Sequence, residues 1–335
     1  MQTAKQPAPE QPWKTLCMFD ILAITGPIYF IIAIGFLLTR FGLFVKTEMR
    51  VLGKFVINLA LPALLFKALA QSHVADILNV SYLLAYLIGT FALIGLGYFW
   101  SRRIASLSLT TSTVYVMGMS MSNSGFVGYP ILLLTLAPVA GVSLALNMIV
   151  ENLIVIPFLL LMAERARGGT GQWRVIRQSL IRLAGNPMII GLFSGFAVSV
   201  LELQLPAVAL RFTNILAAAT GALSLFFIGG TLVGLPMRGL GRVMPIALGK
   251  LILHPLLVLL STTALPMLGF AEIEPSLRMA VVLMAAMPMM GIYPILAQTY
   301  GEGDLSAVAM LVATVSSFFT ISGVLFVLKD LPGFG

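Results

Sequence analysis

Charged residues are scarce in this sequence. Asp, Glu, Lys and Arg make up 10% of the 335 residues, whereas 59% are hydrophobic. A soluble domain of this length could not cover so much apolar surface with polar groups. The composition therefore excludes a soluble fold and predicts an all-α polytopic membrane protein. The net charge of +8 follows the loops between apolar runs, so we expect a lipid bilayer as partner and no nucleic acid.

Cysteine and histidine are almost absent. The single cysteine, Cys17, excludes an intrachain disulfide, and with only two histidines in the chain we expect no metal site and no cofactor. Residues 1–18 contain Pro, Gln and Lys but no apolar run. They therefore predict a polar N-terminal tail and not a signal peptide.

Long apolar runs dominate the remainder. A membrane-spanning helix needs roughly 20 such residues, and ten runs of this kind divide into two sets of five. The first set (19–163) has runs near 19–39, 51–70, 80–100, 112–136 and 139–163; the second (187–328) has runs near 187–204, 210–233, 243–265, 277–299 and 305–328. An arginine-rich linker, 164–186, separates the sets, and 329–335 form a C-terminal tail. Within the linker Trp173, Ile176, Leu180 and Leu183 recur at helical spacing, which predicts either a helix at the membrane surface or an ordinary solvated loop.

Loop charges predict the orientation. Loops after odd-numbered spans contain twelve Lys and Arg residues, and the opposite side contains five. By the positive-inside rule the odd loops are cytoplasmic, which places both termini on the non-cytoplasmic side. Because each set has an odd number of spans, the two sets must have opposite orientations.

Internal similarity supports such an inverted repeat. Gly35-Phe36 aligns with Gly195-Phe196 at a spacing of 160 residues, and Leu65-Phe66 aligns with Leu225-Phe226 at the same spacing. Each match is weak alone, but their shared order favours two inverted five-helix repeats.

Two interrupted runs, the fourth and the ninth, occupy corresponding positions in the repeats. Ser122 to Pro130 and Met287 to Pro294 both end in Tyr-Pro and contain glycine. Proline and glycine disfavour helix, so both stretches are expected to be unwound, with Gly128, Pro130, Gly291 and Pro294 as helix breaks. Paired breaks that cross at mid-membrane predict a substrate site, with Asn123, Ser124 and Gly125 lining it and half-helix N-termini facing an anion. A proline kink packed against a neighbour is the alternative.

Few ionisable residues lie inside the apolar runs. Glu151 is in the middle of the fifth span beside Asn152. A carboxyl group there indicates proton or cation coupling, a structural salt bridge, or a protonated carboxyl held by hydrogen bonds. Lys250 and His254 share one face of the eighth span. Both are candidates for charge compensation, although Lys250 is somewhat better explained by snorkelling to the interface and His254 by a satisfied polar contact.

The chain resembles the auxin efflux carrier family of transporters, whose bacterial members include malonate and dicarboxylate permeases. The resemblance covers nearly the whole chain and rests on the stretch Asn58 to Phe66 (NLALPALLF), the break from Asn123 to Pro130, Lys250-Leu251-Ile252 with Pro255, and Met287-Pro288 followed by Tyr300-Gly301. It implies ten spans, a scaffold and a transport domain, crossing broken helices, and a homodimer through the scaffold. It also implies that Asn147, Pro288, Met289 and Tyr293 line the substrate site beside Asn123. The long loop of the plant members is missing, which argues against auxin itself.

Together these observations predict a secondary transporter of small organic anions, such as malonate or auxin-like acids, in the cytoplasmic (inner) membrane. Alternating access by an elevator-like or rocking mechanism is expected, and the protein is not expected to be an enzyme. The nearest alternative is a sodium-coupled symporter resembling the bile acid carriers. An intramembrane hydrolase would need a base near Ser124 or Ser194, and neither break has the Asp or Glu that sodium/proton exchange favours; a receptor or channel stays open.

Overall fold

The computed structural model describes residues 18–71, 79–168, 177, 181, 184–235, 239–328 and 331. Within these ranges the chain is helical, and its only strand-like pairing is an isolated bridge between Ser122 and Met289. The N-terminal tail with Cys17, the helical stripe predicted around Trp173 to Leu183 and most of the C-terminal tail lie outside the described residues.

Helices follow one another closely along the described chain. They are α1 Met18–Arg40, α2 Lys46–Ala70, α3 Val80–Ile104, α4 Leu109–Ser120, α5 Ser124–Thr135, α6 Ala137–Ala166, α7 Pro187–Val200, α8 Ala207–Thr231, α9 Leu240–Met267, α10 Pro275–Ala286, α11 Tyr293–Gln298 and α12 Gly303–Leu328. Six of them, α2, α3, α6, α8, α9 and α12, are long and apolar enough to cross a membrane. The prediction of an all-helical, membrane-embedded protein is therefore confirmed. Each predicted apolar run contains one helix, except that the fourth and the ninth each contain two.

Local sequence signals explain where several helices begin. Asn79 accepts a hydrogen bond from Tyr82 N (2.9 Å), and Ser108 accepts one from Thr111 N (3.0 Å), so α3 and α4 start with side-chain N-caps. The side chains of Asn186 and Glu274 cap α7 and α10 in the same way. These polar residues satisfy backbone donors that a helix end would otherwise leave unpaired.

Glycines bring two pairs of helices into unusually close contact. A Cβ atom added at Gly35 on α1 would overlap the carbonyl oxygen of Phe226 on α8, and one added at Gly195 on α7 would lie 2.5 Å from the carbonyl oxygen of Phe66 on α2. Only glycine permits such an approach of two backbones. Helices α1, α2, α7 and α8 consequently pack together as one group. The remaining helices, including α3 against α9, form contacts of their own around the two interrupted runs.

Candidate functional site

The two interrupted runs meet inside the protein. Helix α4 ends at Ser120 and α5 begins at Ser124, whereas α10 ends at Ala286 and α11 begins at Tyr293. Between these ends Asn123 N donates to Pro288 O (2.8 Å), and Met290 N donates to Met121 O (3.1 Å). The two non-helical stretches thus run antiparallel and satisfy each other's backbone groups, as buried peptide groups must be satisfied. We call this contact the crossing.

The first interruption is shorter than the sequence predicts. Helical structure resumes at Ser124 with a wide π-type turn, Ser124–Gly128, so Gly128 and Pro130 lie in the resumed helix and not in the break. Pro294 stands in the first turn of α11, where proline is tolerated because its missing N–H would have had no helical acceptor. Pro130 lies inside α5, directly after the π-type turn. The expectation that the chain stays unwound as far as Pro130 was wrong, whereas Pro288 and Gly291 do lie in the second non-helical stretch.

Asn123 holds the start of α5. Its Oδ1 accepts a hydrogen bond from Phe126 N (3.2 Å), and the residue is 5% exposed. This bond leaves the amide Nδ2 of Asn123 without a hydrogen-bond partner among the described residues. A cap that also offers a free amide donor can hold an anionic group at the N-terminus of the half-helix.

The nearby glycines face protein side chains. A Cβ at Gly125 would lie 3.3 Å from Leu61 Cδ1 and Met148 Cε, and one at Gly128 would lie 2.7 Å from Met284 Sδ. These glycines therefore allow close helix packing beside the crossing, rather than close approach of a ligand.

Glu151 lies in a buried hydrogen-bond network next to the crossing. Its Oε1 accepts from the Tyr86 hydroxyl (2.7 Å) and from the Ser124 hydroxyl (3.0 Å). Asn147 Nδ2 donates to Ser124 Oγ (3.3 Å), and the Tyr82 hydroxyl donates to Asn147 Oδ1 (2.9 Å). Each of these side chains is at most 1% exposed. The structure thus brings Ser124, Asn147 and Glu151 together in one network.

Lys250 reaches the same network from α9. Its Nζ donates to Ser122 Oγ and to the carbonyl oxygen of Ala285 (3.0 Å), and it lies 2.7 Å from His254 Nδ1. The residue is fully buried, so the interpretation that Lys250 snorkels to the interface was wrong. Burial is tolerated because three acceptors surround the ammonium. His254 Nε2 lies 3.0 Å from Thr90 Oγ1, so both ring nitrogens of this buried histidine are engaged.

Lys250 and Glu151 are linked through two hydroxyls. Ser122 Oγ, which accepts from Lys250, lies 3.0 Å from the Tyr86 hydroxyl, and that hydroxyl contacts Glu151. We call this chain the Lys250–Glu151 relay. Lys250 and Glu151 are therefore connected through Ser122 and Tyr86 and make no direct ion pair.

Other predicted site residues lie around the relay or away from it. Met289 is paired with Ser122 at the crossing. Tyr293 is buried against Gly118, and its hydroxyl has no hydrogen-bond partner among the described residues. Asn152 donates only to the Met148 carbonyl oxygen and sulfur on its own helix (3.0 and 3.2 Å), so it does not join Glu151 in the relay.

Three of the five π-type turns in the described helices contain residues of the network. They are Ser124–Gly128 at the start of α5, Glu151–Val155 in α6 and Gly249–Leu253 in α9. The other two, Val56–Ala60 in α2 and Trp100–Ile104 in α3, contain none of its residues. Such turns are rare in proteins, and many of those that occur lie at functional sites. Ser124, Glu151 and Lys250 each lie in one of them.

Sequence reasoning missed part of the network. Tyr82, Tyr86 and Thr90 are spaced by four residues along α3, so they share one face of that helix. Three hydroxyl-bearing residues at this spacing in an apolar run are a signal that could have been used. Ser122 was also overlooked as a contact, because its partners come from distant helices.

Comparison with known proteins decides the family. A family model described as "Membrane transport protein" matches residues 23–325. The chain belongs to this family. The resemblance to auxin efflux carriers that the motifs indicated is thereby confirmed, and the protein is a membrane transporter by family.

Several known proteins are similar to the chain. A Rhizobium meliloti (strain 1021) protein named "Putative malonate transporter" is 29% identical over 324 residues, which cover 93% of this chain and 97% of that protein. "Uncharacterized transporter YfdV" of Escherichia coli (strain K12) is 24% identical over 244 residues, covering 70% of this chain and 76% of the relative. "Lysosomal cholesterol signaling protein" of Mus musculus is 25% identical over 247 residues, covering 68% of this chain but 28% of the relative. Two of these three names describe a transporter.

Proposed function

We propose that this protein is a secondary carrier of small organic anions, specifically carboxylates such as malonate, in the cytoplasmic membrane. The observation that carries the proposal is the crossing, where Asn123 and Pro288 pair their backbones beside the N-terminus of α5. Half-helix N-termini and amide donors at mid-membrane suit a carboxylate. The name of the Rhizobium meliloti relative supports malonate as the first substrate to examine.

The architecture proposed for this function is ten spans in two inverted five-helix repeats, with α4/α5 and α10/α11 as broken spans four and nine. Gly35 contacts the Phe226 carbonyl, and Gly195 contacts the Phe66 carbonyl. The spacing of 160 residues aligns Gly35 with Gly195 and Phe66 with Phe226. The contact in one repeat therefore corresponds to the contact in the other. A pseudo-two-fold axis through the crossing accounts for both contacts and for the antiparallel bridge between Ser122 and Met289.

Transport is proposed to occur by alternating access of an elevator-like or rocking kind. Helices α1, α2, α7 and α8 would form the scaffold, and the remaining helices would move with the crossing. Because the polar groups at the crossing are buried, a substrate can reach them only after relative movement of the two groups of helices. A homodimer through the scaffold remains a prediction, testable by cross-linking in native membranes.

The substrate site is tested at Asn123. In Asn123→Asp, an oxygen can still cap α5, but a negative charge replaces the free amide donor. Like charges placed together cost several kcal/mol, so uptake of radiolabelled malonate by proteoliposomes should fall about tenfold or more. Asn123→Ser, whose hydroxyl also caps a helix but carries no charge, is the control for folding and should keep measurable uptake. Uptake by Asn123→Asp at the rate of the unchanged protein would remove the proposed site.

A sodium-coupled symporter is the second candidate carried over from the sequence. Uptake can be measured with a sodium gradient across the liposome membrane and equal pH on both sides. This measurement discriminates a sodium-coupled symporter from a carrier that does not use sodium. Uptake that requires sodium would favour the symporter.

A further inference from the structure

The number of hydrogens that each group of the Lys250–Glu151 relay can donate determines the direction of its hydrogen bonds. Lys250 Nζ faces three acceptors, Ser122 Oγ, His254 Nδ1 and Ala285 O, which match the three hydrogens of an ammonium ion. A phenol has one hydrogen, and the Tyr86 hydroxyl directs it to Glu151 Oε1 at 2.7 Å. The Ser122 hydroxyl, which accepts from Lys250, is then free to donate to Tyr86. Every bond in the relay can therefore point from the cation toward the carboxylate.

Only one of the two oxygens of the Glu151 carboxylate accepts hydrogen bonds from side chains of the described residues. Oε1 accepts from two hydroxyls, whereas Oε2 is buried without a hydrogen bond to any described residue, although the backbone of Ser122 interacts with the carboxyl group. A buried unsatisfied oxygen is costly. Oε2 is thus the place in this network that can accept an additional proton.

Charge balance indicates when that proton is needed. Without substrate, the ammonium of Lys250 and the carboxylate of Glu151 sum to zero. A carboxylate substrate bearing one negative charge would leave the buried site with a net negative charge, which is unfavourable in an apolar environment. Protonation of Glu151 restores neutrality, with Lys250 then compensating the substrate.

The surroundings favour a proton over sodium. The ligands nearest to Glu151 Oε1 are hydroxyls that donate to it, and an ammonium lies two hydroxyls away. Sodium would require those oxygens to turn and accept, next to a fixed positive charge. The titratable groups that face Glu151 are Tyr82 and Tyr86 from α3 and Lys250 from α9, with His254 behind Lys250. From α5 the facing group is the uncharged Ser124.

We infer that Glu151 takes up one proton when an anionic carboxylate binds and releases it when the substrate leaves, so that loaded and empty sites both cross the membrane without net charge. The proton comes from water on the side to which the site is open, binds Glu151 Oε2, and returns to water on the other side. No bond other than the O–H bond forms or breaks. This inference rests on the proposed transport function and specifies its coupling ion.

The test compares net uptake with exchange in Glu151→Gln. The amide mimics the protonated acid, so the loaded carrier remains neutral while the empty carrier keeps an unpaired ammonium. In proteoliposomes at an acidic pH on both sides, where one carboxyl of malonate is protonated, exchange of external radiolabelled malonate for internal malonate should continue. Net uptake driven by an inward proton gradient should fall about tenfold or more, because the empty carrier must return with a buried uncompensated charge. Glu202→Gln, the same substitution at an exposed carboxyl, should behave as the unchanged protein does.

Two further measurements keep the inference open to refutation if Glu151→Gln does not fold. Glu151→Asp retains an ionisable carboxyl and should retain proton-driven net uptake. In the unchanged protein, uptake of malonate at an acidic external pH, where one of its carboxyls is protonated, should not respond to a potassium diffusion potential. Strong dependence on that potential would contradict a neutral cycle.

The outcomes separate the inference from the function on which it rests. Proton-driven net uptake by Glu151→Gln at the unchanged rate overturns the role of Glu151 but leaves a carrier. Uptake driven by sodium and indifferent to the proton gradient does the same. Failure of the folded, unchanged protein to take up or exchange malonate or any other carboxylate would overturn both.

Discussion

At the residue scale, the main feature is the hydrogen-bonded link between Lys250 and Glu151 through two hydroxyl groups. Ser122 and Tyr86 join Lys250 to Glu151, and all four side chains are at most 1% exposed. Removing one member of a buried charge pair leaves the other uncompensated, which costs more than the pair contributes. The two residues should therefore depend on each other for stability as well as for transport.

This dependence predicts the outcome of a double-mutant cycle. At a pH high enough to keep Glu151 ionised, Lys250→Met should destabilise the protein by about 3–5 kcal/mol, because the Glu151 carboxylate loses its counter-charge. Combining it with Glu151→Gln should recover a large part of that loss, since neither charge is then present. Melting of the four purified proteins in one detergent measures the coupling. Additive effects of the two substitutions would show that the residues do not interact.

At the element scale, glycine positions decide how the helices approach one another. Gly35 and Gly195 lie in different helices but make equivalent contacts with the carbonyl groups of Phe226 and Phe66. Gly221 on α8 differs from both, because a Cβ there would meet nothing within 4 Å. The same substitution should therefore have opposite effects at contacting and open positions.

Alanine substitution tests this difference. Gly35→Ala and Gly195→Ala should each lower stability by about 1–3 kcal/mol, because the added methyl group forces two backbones apart. Gly221→Ala should be neutral or slightly stabilising, since alanine is the better helix former. Thermal unfolding in detergent measures all three. Equal tolerance at the three positions would contradict the close contacts on which the repeat is argued.

At the scale of the whole molecule, orientation follows from the loops and not from the core. The arginines of loops such as Arg102-Arg103 favour the cytoplasmic side, and the ten proposed spans would return the chain to the side on which it began. Both termini are therefore predicted to be non-cytoplasmic.

Reporter fusions can measure this orientation. Alkaline phosphatase fused after Gly335 should be active, because it requires the oxidising side of the membrane, and a green fluorescent protein fused there should be dark. The same reporters fused after Arg103 should give the reverse pattern. A bright fluorescent fusion at Gly335 would place the C-terminus inside the cell and contradict the predicted topology.

Much of this could be predicted from the sequence because membrane helices leave strong local signals. The lengths of the apolar runs predicted where the helices lie, and the hydrophobic composition indicated a protein embedded in a bilayer. The motifs around Asn58 to Phe66 and Asn123 to Pro130 indicated the family. The length of the first break was less predictable, because Pro130 was interpreted as a helix breaker but lies inside α5, directly after the π-type turn Ser124–Gly128.

The length of the apolar runs was thus sufficient to specify a membrane-embedded helical protein, since it acts along the chain and does not depend on distant contacts. Whether an individual polar residue is buried or exposed depended on the tertiary structure. Lys250 could have extended to the membrane interface, but Ser122, His254 and Ala285, from three different parts of the chain, provide the acceptors that keep it buried. The stability of a charge in an apolar interior depends on its neighbours in space, and only folding brings those neighbours together.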